Sequence, residues 1–188
     1  MDIRTLILVL AIGNLVFGIV LILFQLRQEY SLRNPFWPAA KFLQCGGWLL
    51  LAGRGVLADS LSFTLGNFCL LTGFAYECWA IYRISDRPVP LAYQILGIVY
   101  ALLGAILATP LTAAGRIAAA SFLVTPIIAL SAWAMLFGGP QRSPLRTYLS
   151  LSIGLLAVAT CARGSMALMA TEEFFLFSQN PIQLISFS

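Results

Sequence analysis

Apolar positions in this chain come in long unbroken runs instead of alternating with polar ones. Between Arg4 and Arg27 twenty-two successive residues carry no charge, and comparable runs follow, separated by short turns that carry arginine. About 20 apolar residues let an α-helix cross the roughly 30 Å hydrocarbon layer, whereas a membrane barrel would show period-two alternation. The pattern predicts an all-α fold, a polytopic membrane helix bundle forming a single domain over residues 1–188. Complete transmembrane helices are expected at about 5–26, 39–58, 60–82, 91–108, 116–137 and 148–170. A seventh apolar stretch opens at Phe174. Its segment from Ile182 to Ser188 is too short to cross a bilayer alone, so it reads as the start of a seventh helix in preference to a docked stub.

Composition agrees with lipid as the solvent. With 60% hydrophobic residues, 10% charged residues and a mean hydropathy of +0.91, a soluble domain would lack polar surface. The first run is read as a retained span and not a secretory leader, because Met1-Asp2-Ile3-Arg4 is barely positive and no Ala-x-Ala exit follows. Cys45, Cys69, Cys78 and Cys161 fall within expected helices and read as free apolar thiols.

Loop charge then orients the chain. Arg27, Arg33, Lys41, Arg83, Arg87, Arg142 and Arg146 flank the first, third and fifth turns, while the other side receives Arg4, Arg116 and the acids Asp59, Glu172 and Glu173. Lys and Arg are retained in the cytoplasm during insertion, which predicts an external N-terminus in a bacterial inner membrane and, after a seventh helix, a cytoplasmic C-terminus. Arg4 and the Arg54-Gly55 pair are 50 residues apart, and Arg116 and Arg163-Gly164 are 47 apart. That spacing suggests parallel three-helix repeats joined by helix four, a 3+1+3 plan.

A charge within a span costs on the order of 2.5–3.5 kcal/mol, so buried charges need partners, water or a role. Arg54 lies about four residues from the expected outer end of helix two, roughly 6 Å, and its stem could snorkel to the interface. Arg163 is deeper, about seven residues or roughly 10 Å, which favours a packed or functional side chain. Together Arg163, Arg54, Arg116 and Arg4 form a candidate anion pocket in the outer half, suited to a carboxylate, a phosphate or a lipid-like headgroup. The competing reading is structural neutralisation by Asp59, Glu172 and Glu173. Glu77 should form a salt bridge at the inner interface. Trp37, Trp48, Trp79 and Trp133 read as interfacial anchors, and Pro126 as a kink in helix five.

With no histidine in the chain, histidine-ligated haem, zinc and histidine bases are excluded. No Walker loop, nucleophile elbow or basic run interleaved with aromatics is present, so no catalytic residue, cofactor, metal or nucleic-acid partner is expected.

The first eighty-odd residues carry a recognisable order: Met1-Asp2-Ile3-Arg4-Thr5-Leu6, Asn14-Leu15, Gly47-Trp48-Leu49-Leu50-Leu51-Ala52-x-Arg54-Gly55, Ser60-Leu61-Ser62, Gly66-Asn67 and Tyr82-Arg83. This order resembles the N-terminal multi-helix membrane sensor module of bacterial GGDEF diguanylate cyclases. The resemblance implies a signal-input module linked in cis to a cytoplasmic cyclic-di-GMP-producing output domain, with a homodimer formed through the membrane or the output region. This chain contains no Gly-Gly-Asp-Glu-Phe sequence, so its own residues can sense, anchor or dimerise but not cyclise. A small 3+1+3 helical transporter and a structural membrane anchor or assembly bundle are the alternatives.

Overall fold

The computed structural model describes residues 3–27, 34–138 and 143–169. The seventh stretch from Phe174, together with Arg33, Arg142, Glu172 and Glu173, lies outside the described residues. Six helices are present: α1 (Ile3–Leu26), α2 (Phe36–Ala52), α3 (Asp59–Ile84), α4 (Leu91–Ala108), α5 (Ala113–Phe137) and α6 (Pro144–Met169). Among the described residues there is no sheet.

Four of these helices, α1, α4, α5 and α6, are long and apolar enough to cross a membrane. The expectation of six complete spans therefore overstates what length and composition support. α2 has only 17 residues and includes Lys41 and Gln44, and α3, though 26 residues long, includes Glu77 and Arg83 with a polar first half. The exterior of α1 is apolar nearly all round. Leu6, Val9, Ile12, Val16, Leu23 and Phe24 are exposed, and only small residues such as Ala11 and Gly18 are buried. A contiguous apolar exterior of this kind belongs in lipid, and the chain is a membrane-embedded helical protein.

Local chemistry places the helix ends. α2 begins at Phe36, before the expected Ala39, because Pro35 and Pro38 fall in the first turn, where backbone N–H groups have no intrahelical partner to lose. Pro144 opens α6 for the same reason. Thr112 caps α5 by accepting from the Gly115 N–H at 3.2 Å. α2 stops at Ala52, six residues short of the expected end. Gly53 closes it by donating to the Leu49 carbonyl, and Gly55 follows at φ 90°, a conformation costly for any residue with a Cβ.

The helices form a row. α1 packs against α2, α2 against α3, α3 against both α4 and α5, and α5 against α6, while α4 also touches α5. Small residues let the backbones approach. A Cβ on Gly47 would stand 2.9 Å from the Gly66 carbonyl oxygen, and one on Gly73 would meet Gln44 Cγ at 2.7 Å, so the α2–α3 seam admits nothing larger there. Ser150, Ala157, Gly164 and Ala167 line the α6 side of the α5–α6 seam, and Ser150 Oγ donates across it to the Ala132 carbonyl at 2.8 Å. α5 continues through Pro126. Tyr100 of α4 donates its hydroxyl to the Leu123 carbonyl at 2.9 Å, one residue beyond the Phe122 carbonyl that the proline leaves without its helical donor. Trp79 is buried in a cluster of three rings, edge-on to Phe36 and tilted against Tyr76, and its indole lies where a Cβ on Gly97 would fall. It is a packing residue and not the interfacial anchor expected.

Candidate functional site

The four arginines of the expected outer pocket share one end of the row but are held in different ways. Arg54 is not inside a span. The early end of α2 at Gly53 puts it in the α2–α3 turn, where it bridges to Leu57. Arg4, the second residue of α1, directs Nη2 to the Arg54 carbonyl at 3.4 Å and lies over Gly55, so the structure brings Arg4 and Arg54 together. The glycine at φ 90° shapes the turn that presents the Arg54 carbonyl to that contact.

Arg116 lies on the other flank of α3. Its Nη2 donates to the Thr109 carbonyl at 2.8 Å and its Nε to the Leu111 carbonyl at 2.9 Å, while the guanidinium sits 4.6 Å from the centre of the Phe63 ring. A cation on the open carbonyls that end α4 is electrostatically favoured there. The hydroxyls of Thr64 and Thr109 meet at 2.8 Å and join the start of α3 to the end of α4. Arg163 lies on the exposed face of α6, outside these contacts. The next residue, Gly164, turns into the α5–α6 seam against Ser121 and Phe122, so Arg163 points away from α5. The two arginine pairs of the internal repeat are therefore used differently. Arg4 serves the turn after α2, whereas Arg116 serves the turn before its own helix.

The most polar interior lies elsewhere, in the α2–α3 seam. Lys41 Nζ is 2.7 Å from Glu77 Oε1, Gln44 Nε2 donates to Glu77 Oε2 at 2.9 Å, and Lys41 Nζ also donates to Gln44 Oε1 at 3.1 Å. The three side chains close a ring of hydrogen bonds. Gln44 is 3% exposed, and Phe17 of α1 lies under the Lys41 ammonium at 5.7 Å. The pairing expected of Glu77 is present, with Lys41 as partner and about 10 Å from the end of α3 at 1.5 Å per residue. Sequence reasoning counts Lys41 only among the cations flanking the first turn and gives Gln44 no role, so it misses their ring with Glu77. The signal was available: Ala40, Gln44 and Gly47 recur at helical spacing on one face of α2.

Lys41 and Glu77 neutralise each other and Gln44 links both, which equips the seam to hold two helices in one register. It offers no nucleophile with an adjacent base. No family model matches the chain, and neither a curated protein nor a solved structure does.

Proposed function

We propose that the chain is a membrane signal-input module, set in the bacterial inner membrane with its N-terminus outside, that regulates a cytoplasmic output domain of the diguanylate cyclase type. One observation carries this reading: the residues of the sensor-like sequence order converge on a single structural unit. Arg4 meets the Arg54-Gly55 turn, Gly47 faces Gly66, and Ser62 Oγ donates to the Leu50 carbonyl. The ordered motif thus corresponds to one three-helix arrangement, with the Lys41–Gln44–Glu77 ring inside it.

On this reading α2 and α3 also cross the bilayer. α2 is about 25 Å long at 1.5 Å per residue, at the short end of the spanning range, and its cation is neutralised by Glu77. A seventh helix from about residue 174 completes the 3+1+3 plan and carries the signal to the cytoplasm, and the working form is a homodimer. The Arg4–Arg54 turn, with Arg116 on the opposite flank of α3 and Arg163 on the lipid side of α6, receives an anionic or lipid-like signal. The chain itself performs no catalysis.

The test is a chimera in which a diguanylate cyclase catalytic domain lacking its own input region follows residue 188. Cellular cyclic di-GMP should depend on this module. Gly47→Leu, which forces α2 from α3, should alter output while the amount of inserted protein is unchanged. Equal output from the chimera, from the variant and from a single-helix anchor would sink the reading.

A further inference from the structure

The end of the row opposite the arginine pair holds a site of different construction. α3 finishes in a Schellman motif: the Arg87 N–H donates to the Tyr82 carbonyl at 2.9 Å and the Asp86 N–H to the Arg83 carbonyl at 3.1 Å. Asp86 occupies the left-handed position at φ 55°, where glycine is usual. Pro88 and Pro90 then fix the backbone leading into α4. This rigid turn borders a cleft of about 470 Å³ lined by Phe36 of α2 and by Arg83, Asp86, Arg87, Val89 and Gln94.

The two arginines differ in how they are held. Arg87 lays its guanidinium 4.3 Å from the centre of the Trp133 ring and donates Nη2 to the Phe137 carbonyl at 3.0 Å, which fixes the plane of the fork. Its Nε is buried and has no acceptor. A buried donor on a charged group is costly to leave unpaired. Arg83 is exposed, with its guanidinium 6.0 Å from the centre of the Phe36 ring, and among the described residues it makes no hydrogen bond or ion pair. Asp86 is exposed and pairs with neither arginine, so the cleft keeps a net positive charge.

Two forks on one cleft, one fixed and one able to swing, match an acceptor with several oxygens better than a single carboxylate does. Phe36 and Val89 give the same cleft an apolar wall for the carbon-bearing part of such a ligand. The turn also stands at the end of the spanning helices, at headgroup level, on the side that collects the loop cations. We propose that this cleft binds a phosphate group between Arg83 and Arg87, on an anionic lipid or on a soluble phosphate compound. The proposal needs the chain to be in a membrane and is independent of the output domain.

The test uses the whole chain in lipid nanodiscs. Thermal unfolding is followed in phosphatidylcholine, in phosphatidylcholine with increasing phosphatidylglycerol, and in phosphatidylcholine with inorganic phosphate added. Phosphatidylglycerol should raise the melting temperature in a saturable way, and Arg83→Gln should weaken the apparent affinity about tenfold, the loss of one charge-assisted contact. Native mass spectrometry of retained phosphatidylglycerol gives the same comparison without depending on the variant's own stability. Arg27→Gln, which removes a cation from the same side but not from the cleft, should leave the affinity unchanged. An Arg83-dependent response to inorganic phosphate alone would assign the soluble source, and one to phosphatidylglycerol alone the lipid source. No response to either probe, or an equal loss in Arg27→Gln and Arg83→Gln, overturns the proposal.

Discussion

Lys41 and Glu77 are only 13% and 27% exposed at their side chains in a molecule whose exterior is lipid, and they stand 2.7 Å apart as each other's counter-charge. Lys41→Met leaves the Glu77 carboxylate with Gln44 alone and should cost on the order of 3 kcal/mol, the scale for breaking a buried pair from one side. Adding Glu77→Gln removes the orphaned charge while keeping an amide for Gln44, and should restore most of that loss. Unfolding in one detergent measures both variants, and equal destabilisation by the single and double changes would mean the ring is not coupled. Residue chemistry of this sort was only half legible in the sequence. That Glu77 needed a cation was readable from its place in an apolar run. Which cation it found depended on how α2 is rotated against α3, which places Lys41 and Gln44 on the shared seam and has no marker along the chain. Arg54 shows the opposite error. Helix two is expected to run on to residue 58, but Gly53 and Gly55 stop it, and a residue assigned to the membrane belongs to a turn.

Helix ends follow rules that a single sequence displays, provided proline and glycine are weighed by position. The start and end of α4 and the ends of α1 and α5 coincide with the apolar runs, because there the polar residues begin abruptly. Where polar residues continue the helix, as at Pro144-Leu145-Arg146-Thr147, hydropathy cuts it short, although Pro at the first position announces it. Trp79 was misread because aromatic position along a helix says nothing of rotation about it. The end of α3 offers a direct test of these rules. Asp86 has a left-handed backbone that a Cβ disfavours, so Asp86→Gly should stabilise the protein by about 0.5–1 kcal/mol, measured as a higher unfolding midpoint. A loss of stability would show that the carboxylate contributes more than its backbone strain costs.

At the scale of the molecule, the all-helical class and the membrane setting were legible because both depend on composition and run length. The order of the row was not. Which helix lies beside which depends on glycine and serine faces that recur on nearly every helix here, and the fact that α5 reaches past α4 to touch α3 has no marker along the chain. The row has a mechanical consequence. Among the described residues α1 leans on α2 alone, clasped near its ends by Arg4 on the Arg54 carbonyl and by Gln25 on the Asn34 carbonyl. A force applied at the N-terminus therefore meets the Arg4 clasp first, and once it yields the helix can peel away like the end plank of a raft. Single-molecule pulling from that terminus should show α1 leaving as a separate first step, at a lower force than the α2–α3 hairpin, whose ionic ring is loaded next. Simultaneous rupture of all three would mean that the planks are bound more widely than the row implies. If α1 does come away singly, the protein carries at its margin a helix that can be exchanged with a neighbouring molecule without dismantling the rest.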